Sequence, residues 1–430
     1  MRGAMPGLIL VLVAACNLVI PQEAPSARDA AVKLTHAVEQ HQPGRDLEAQ
    51  DFELFAQVYS QVVHHYYRDL DGDSLVLAGA KGIQLKFNDP TTVPSSDLDV
   101  AATRAMLATL DNYSEYLDQE AFNALRENIR GVFGGLGIEI TKRDGRLTIV
   151  APIEGTPADK AGLKTGDIIT HADGKEIDPL TQREAVELLR GRPGTKVRLT
   201  VLRGEAEKFE LDLTRAIIET NPVRWHLEGD VGYIRITNFS EHTARETRKA
   251  VRAIQQKLGG RLAGFVLDLR NNPGGLLGQA VAVSSIFLDG EVVVKTQRRR
   301  DSDVMVATAG DLTEDAPLIV LINRGSASAS EIVSGAIQDQ NRGFLVGEKS
   351  FGKGLVQTVL PLSYDRGMKL TTAVYYTPKG KTVEGGITPD QVVQQDEERD
   401  GDEQLEEAVK LVIHMAGGPA IPWGAGLDVQ

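Results

Sequence analysis

PLIVLINRGSASASEI, residues 317–332, decides the fold of the second half of this 430-residue chain. The apolar run PLIVLIN reads as a buried strand, and the residues after Ser328 read as a helix. Three serines alternate with alanines in the turn between them: Ser326, Ser328 and Ser330. Ser328 stands three residues before Glu331, the Ser-x-x-Glu pattern of a capping box, so it is the natural N-cap. A serine at a strand-to-helix turn also exposes its oxygen near a helix N-terminus. There the helix dipole and free N–H groups favour a developing oxyanion. Small neighbours, Ala327 and Ala329, let a peptide backbone come close. The turn by itself leaves cap and nucleophile both open, and a base has to be found.

Outward from this turn, strand and helix patterns alternate. VGYIRITNF (231–239) reads as a strand, 243–257 as a helix, GFVLDL (264–269) as a buried strand, and 276–287 and 329–340 as helices. Strands follow at 344–347, 355–360 and 370–376. Such alternation implies an α/β domain, here spanning 216–393. After it come an acidic linker, a closing helix near Glu406–Met415 and a tail, together 394–430.

Upstream, GVFGGLGIEI, GRLTIVAPI, the helix TQREAVELLR and the alternating strands TKVRLTVLR and EKFELDLTR occur in that order. Together they resemble a PDZ domain over 131–215. In such domains the loop here formed by Gly135, Leu136, Gly137 and Ile138 offers backbone N–H groups to a peptide's terminal carboxylate. The peptide then adds as a strand beside it. Before this domain, Phe52, Phe55, Val58, Tyr59, Val62 and Tyr66 recur at helical spacing, as do Asp99, Ala102, Met106 and Leu110. Residues 51–130 are therefore expected to be a helical N-terminal region. His64 and His65 are adjacent on a helix and point apart, which argues against a shared metal. Residues 21–50 are expected to be a polar tether.

The first 20 residues read as a signal peptide. Arg2 precedes an apolar run from Leu8 to Ala15, too short for the about 20 residues of a membrane-spanning helix. The single cysteine, Cys16, follows Val13-Ala14-Ala15 and resembles the lipidated cysteine of a bacterial lipobox. A buried thiol within an ordinary signal is the other reading. Either way the mature chain is expected outside the cytoplasm, as a periplasmic or envelope protein. The net charge of −13 argues against a nucleic-acid partner. Arg298, Arg299 and Arg300 read as a solvated loop.

The base must come from histidine or lysine. In the α/β region and after it stand only His226, His242 and His414, none on a loop that obviously faces Ser328. SFGKGLVQTVLPL (350–362) places Lys353 between two glycines, leading into a strand, with Gln357 four positions on. An even step puts both side chains on one side of a strand, so Gln357 can hold the amine. An unshifted lysine titrates near about 10.4. Desolvation can lower that by up to about 3–5 pH units, and Phe351, Leu355 and Val356 supply apolar neighbours. Two rivals share this lysine. Gly347-x-x-x-x-Gly352-Lys353 is a near-miss P-loop, but Gly354 replaces the magnesium-binding Ser/Thr and a strand follows where a helix is required. Ser350-x-x-Lys353 needs one helical turn, which Gly352 and Gly354 oppose. No metal-binding motif is present, and no cofactor is expected. DLRNNPGGLL (268–277) follows a buried strand; an N–H of Gly274 or Gly275 can serve an oxyanion alongside that of Ala329.

GSASASEI, LDLRNNPGG, GEKSFGKGLVQ, KLTTAVYYTPKGK and GGITPD, in that order, resemble the carboxy-terminal processing peptidases, or tail-specific proteases, over about residues 99–415. The resemblance implies a serine endopeptidase with a crotonase-like core, a Ser–Lys dyad and PDZ recognition of apolar C-terminal tails. In the family pattern the lysine follows the nucleophile by 25 residues, and 353 − 328 = 25. The roles then fall on Ser328 and Lys353, with Gln357 as the lysine's partner. Protein or peptide substrates with free C-termini are the implied partners. LDNYSEYL (110–117) departs from the family, which usually has Pro after the Asp. Asp339, 11 residues after Ser328, reads as structural support. The competing class is a PDZ scaffold with an inactive peptidase-like domain; joint retention of Ser328, Lys353 and Gln357 speaks against it.

Overall fold

The computed structural model describes residues 25–41, 47–87, 93–143, 145–153, 155–204, 207–395 and 401–417. The signal segment and Cys16 lie outside the described residues. The described chain divides into two compact units: Ala124–Pro222 with Ser240–His242, and the remainder.

The larger unit begins with four helices, α1 (Pro25–His41), α2 (Glu53–His65), α3 (Gly72–Lys86) and α4 (Ser95–Ala108), followed by strand β1 (Glu115–Leu117) and α5 (Gln119–Arg130), which runs on into the smaller unit. Helix α1 corrects the expected polar tether. Its Ala27, Ala30, Ala31, Leu34 and Val38 recur at helical spacing and are buried in the helical core. The alanines made the stretch look like a linker, yet they allow helices to approach closely. Asp99, buried in α4, accepts the backbone N–H groups of Leu54 and Phe55 at 2.9 and 2.8 Å, which fixes the start of α2. Burial raises its carboxyl to about 6 against those two hydrogen bonds.

The smaller unit is the β-rich domain. Its elements are β2 (Val132–Gly135), β3 (Ile138–Arg143), β4 (Arg146–Pro152), α6 (Pro157–Lys160), β5 (Ile168–Ala172), β6 (Lys175–Glu176), α7 (Gln182–Leu189), β7 (Lys196–Arg203), β8 (Glu207–Thr214) and β9 (Ala216–Glu219). The sheet order β3-β4-β5-β7-β8 leaves β3 at an edge, and β2 pairs with β9 in a separate ribbon. A core of Leu136, Leu147, Ile169, Val197 and Leu199, among others, holds this unit together.

The chain then returns to the larger unit with β10 (Val223–Glu228), β11 (Val231–Ile236), α8 (Thr243–Leu258), β12 (Gly264–Asp268), α9 (Leu277–Ser284), β13 (Val292–Gln297), β14 (Ser302–Val306), β15 (Leu318–Ile322), α10 (Ala329–Asp339), β16 (Phe344–Gly347), β17 (Leu355–Leu362), β18 (Arg366–Tyr376), β19 (Gln391–Val392) and α11 (Glu403–Gly417). One sheet runs β10-β11-β12-β15-β16-β19, parallel throughout except for the β10–β11 hairpin. Every residue of β12 and β15 is buried, as their continuous apolar sequences require of strands covered on both faces. A second sheet, β1-β18-β13-β14, carries β17 paired to β18. Leu362, Met368 and Leu370 of this hairpin pack into the helical core. Among the described residues no helix is long and apolar enough to cross a membrane.

Candidate active site

Strands β12 and β15 are parallel neighbours, so the turns that leave their C-terminal ends lie side by side. Asn, Pro and Gly give the first turn, 269–276, its sharpness; the alternating Ser and Ala give the second, 323–328, little bulk. The two turns are laced together. Asn271 N–H donates to Asn323 Oδ1 at 2.9 Å, and Asn323 Nδ2 returns a bond to Asn271 Oδ1 at 3.0 Å. The Asn272 carbonyl accepts Ala327 N–H at 3.0 Å and Ser330 Oγ–H at 2.9 Å. Gly274 abuts the serine turn. A Cβ built on it would lie 2.9 Å from both Ala329 N and Ser328 Cβ, and its φ is +100°, so no other residue fits.

The three serines separate by burial. Ser326 and Ser330 are fully buried, and each hydroxyl has a backbone carbonyl to donate to, Leu269 O at 2.8 Å and Asn272 O at 2.9 Å. Ser328 alone of the three is partly exposed. It precedes α10 with φ 54° and ψ −113°, a conformation that costs a non-glycine residue about 1–3 kcal/mol. The strain is held in place by Glu331, fully buried in the first turn of α10, whose Oε2 accepts Ser328 N–H at 2.8 Å.

Glu331 also organises the lysine loop. Its Oε2 accepts Lys353 N–H at 2.9 Å, and its Oε1 accepts Gly352 N–H at 2.7 Å and Ser350 Oγ–H at 2.6 Å. One carboxylate thus holds the backbones of Ser328 and Lys353 to a common point. Tyr375, buried on β18, places its hydroxyl between the carbonyls of Lys353 (2.5 Å) and Ser328 (3.2 Å). Burial pushes the Tyr375 phenol well up, which keeps it protonated and able to donate.

Lys353 itself lies just before β17. Its Nζ donates to Gln357 Oε1 at 2.8 Å and sits 4.8 Å from the centre of the Tyr113 ring. Burial is the largest influence on the amine and lowers its pKa below the ordinary lysine value, and the nearby charge of Lys369 acts in the same direction. Asp111, Glu115 and Glu331 oppose the shift. The same geometry bears on the two rival motifs. Gly347 ends β16 and the segment runs through Lys353 into β17 with no helix, unlike a P-loop. Ser350 is not one helical turn from Lys353, and its hydroxyl is engaged by Glu331 and by Ile387 N–H at 2.7 Å.

Of the candidate oxyanion donors, Gly274 N–H is already bonded to Asn272 Oδ1 at 2.9 Å. The N–H groups of Ala329 and Gly275 meet no acceptor among the described residues. Asp339 is buried at the far end of α10 and accepts Lys379 N–H at 2.9 Å, as fits a structural residue. Sequence reasoning took Glu331 only as a capping partner and missed Tyr375, Tyr113 and Asn272. Asn272 shares LDLRNNPGG with Gly274 and Gly275, which was an available signal, whereas Tyr375 and Tyr113 lie in stretches that hold no assigned residue.

In the β-rich unit, Leu136 and Gly137 join β2 to the edge strand β3. Gly137 has φ +76°, and a Cβ there would come within 2.3 Å of Thr156 Cβ. The Leu136 side chain is buried in the domain core, which orients the loop backbone.

Comparison with known proteins agrees with both halves. The model of peptidase family S41 matches residues 230–393, and that of the PDZ domain matches residues 134–213. A carboxy-terminal-processing protease of Bartonella bacilliformis is 48% identical over 299 residues, 68% of this chain and 69% of that protein. The carboxy-terminal processing protease CtpA of Bacillus subtilis is 35% identical over 343 residues, 79% of this chain and 68% of that protein. Among solved structures, a photosystem II D1 C-terminal processing protease superposes with a TM-score of 0.51 at 30% identity, covering 86% of this chain and 98% of that one. Fold and site together define a serine endopeptidase that carries a PDZ domain. The chain belongs to the S41 family of carboxy-terminal processing proteases, and its substrates are proteins or peptides.

Proposed function

We propose that this chain hydrolyses extracytoplasmic proteins through an acyl-enzyme on Ser328, with neutral Lys353 as general base. Lys353 takes the Ser328 proton as Oγ attacks the scissile carbonyl carbon. The resulting ammonium then gives that proton to the departing amine as the C–N bond breaks, leaving an ester on Ser328. Water, deprotonated by the same amine, attacks the ester and releases the new C-terminus. Gln357 orients the amine through Oε1. The oxyanion meets Ala329 N–H and one glycine N–H; the engagement of Gly274 by Asn272 favours Gly275 as that donor.

The observation that carries this reading is the shared carboxylate of Glu331, which holds the Ser328 and Lys353 backbones 2.8 and 2.9 Å from one oxygen. The open edge of β3 and the Gly135–Ile138 loop support capture of an apolar C-terminal tail by strand addition. Cys16, in its lipobox-like setting, supports a tether to the outer face of a membrane, where two acyl chains are needed for stable attachment. A purified enzyme offered a folded protein bearing an apolar tail should degrade it and spare the same protein with a charged tail. Equal degradation of the two would remove tail recognition. Membrane fractionation of wild type against Cys16→Ser tests the tether, and identical distributions would refute it.

A further inference from the structure

KLTTAVYYTPKGK, residues 369–381, holds Tyr375, but its first residue has no part in the mechanism above. Lys369 lies on β18 opposite Glu115 of β1, and the two form an ion pair across the strands. On the other side of β18, the register sets Val359 against Lys369 and Gln357 against Thr371. Side chains alternate along a strand, so Gln357, Val359, Lys369 and Thr371 share one face. Gln357 and Lys369 are then diagonal neighbours there, about 7–8 Å apart. Tyr113, whose ring faces the Lys353 ammonium, lies two residues before Glu115. One face of this sheet therefore gathers Lys353, its partner Gln357 and a second lysine restrained by a carboxylate.

We propose that Lys369 is a positioning residue for the reaction: its positive charge on this sheet face favours the neutral, base-competent form of the Lys353 amine, and the carboxylate of Glu115 beside it acts in the opposite direction. The inference rests on Lys353 being the base. A desolvated lysine beside another cation is a known way to obtain a neutral amine near neutral pH. Among the described residues the charges that act most strongly on Lys353 are Asp111 before β1, Glu115 on β1, Glu331 on α10 and Lys369 on β18, of which Lys369 alone is a cation; the Tyr113 ring, also before β1, lies against the amine. Lys369 is half-buried and Glu115 more exposed, so the pair can be altered without opening the core. Met368 and Leu370 carry the packing on the opposite face.

The test is the pH profile of kcat/KM for the full enzyme and for Lys369→Met, Lys369→Arg, Glu115→Gln and Lys353→Ala. Lys369→Met should move the acid limb to higher pH. Below that limb, each pH unit of displacement costs about tenfold in rate. Activity should therefore fall at pH 7 and recover at alkaline pH. Lys369→Arg should restore the wild-type profile. Glu115→Gln should move the limb the other way, to lower pH. Equal loss at every pH in Lys369→Met, or a loss that Lys369→Arg does not rescue, would mean that Lys369 serves only the strand pairing and would overturn the inference. An inactive Lys353→Ala with an unshifted Lys369→Met sinks this inference alone. An active, folded Lys353→Ala sinks the base assignment beneath it.

Discussion

Ser328 and Glu331 hold each other twice: Glu331 Oε2 accepts the Ser328 N–H at 2.8 Å, and the Ser328 carbonyl accepts the Glu331 N–H at 2.8 Å. The second bond is the opening turn of α10. The first holds a strained serine in place, and the remaining acceptor sites of the same carboxylate hold the lysine loop.

Glu331→Gln should therefore lower kcat by about 10²-fold with little change in KM, since misplacement of a reacting group by about 1 Å has that effect. An amide has one acceptor oxygen where the carboxylate has two, so at least one buried N–H or O–H loses its partner. That costs about 1–3 kcal/mol in stability. Steady-state kinetics beside urea denaturation separate the two effects. Wild-type kcat in the variant would show that the clasp has no catalytic consequence.

Ser326 and Ser330 flank Ser328 and Ser350 precedes Lys353, and all three are buried and hydrogen-bonded. Ser326 Oγ accepts Asn323 N–H at 3.0 Å as well as donating to Leu269 O. Ser350 Oγ bridges Glu331 and Ile387. Each substitution by Ala should cost about 1–3 kcal/mol, read from denaturation midpoints, and lower activity in part without abolishing it. A silent Ser350→Ala would show that Glu331 does not need this donor.

The base sets the pH dependence. With Lys353 as the proposed base, only its neutral amine can accept the Ser328 proton, so kcat/KM should rise with pH through the Lys353 pKa and then level off. Burial lowers that pKa, so the plateau should begin below the pH at which an ordinary lysine loses its proton. Gln357→Glu places a negative charge where Oε1 now meets Nζ at 2.8 Å. The charged amine is then favoured, the acid limb moves to higher pH, and activity at pH 7 falls. A limb that stays in place would remove Lys353 from the role of base.

The PDZ loop gives a separate expectation. Gly137→Ala forces a β-carbon into Thr156 and a positive φ onto alanine, so binding of an apolar C-terminal peptide should weaken sharply. The wild-type domain should also bind the peptide acid far more tightly than its amide, since amidation removes the charge that the loop N–H groups meet. Fluorescence titration with both peptides reads this directly. Equal affinities would overturn the carboxylate-loop assignment.

Much of this was legible in the sequence. The buried strands PLIVLIN and GFVLDL announced themselves by unbroken apolar residues. The spacing of Ser328 and Glu331 marked the turn; Gln357 does meet Lys353 at 2.8 Å, but Lys353 stands before β17 and a bulge between Val356 and Gln357 breaks the strand alternation from which the contact was expected. Elements that depend on remote partners were not legible. Residues 25–41 carry their helical spacing mostly on alanines, which read as a tether, and burial beside residues of α2 and α3 makes that face part of a core. Glu331 looked like a local cap because the four donors it serves include three from residues 19 to 22 positions away. Tyr375 reaches Ser328 across 47 positions, a contact that no periodicity encodes.

The central claim, that Ser328 is acylated with Lys353 as base, is tested most directly by trapping the intermediate. Enzyme mixed with a peptide substrate should be quenched in acid within a single turnover and its fragments weighed by mass spectrometry. The account predicts the acyl mass on the fragment containing Ser328 in wild type, and no adduct or turnover in folded Ser328→Ala or folded Lys353→Ala. An adduct assigned by further fragmentation to Ser326, Ser330 or Ser350, or substrate cleavage at the wild-type rate by either variant, would contradict it.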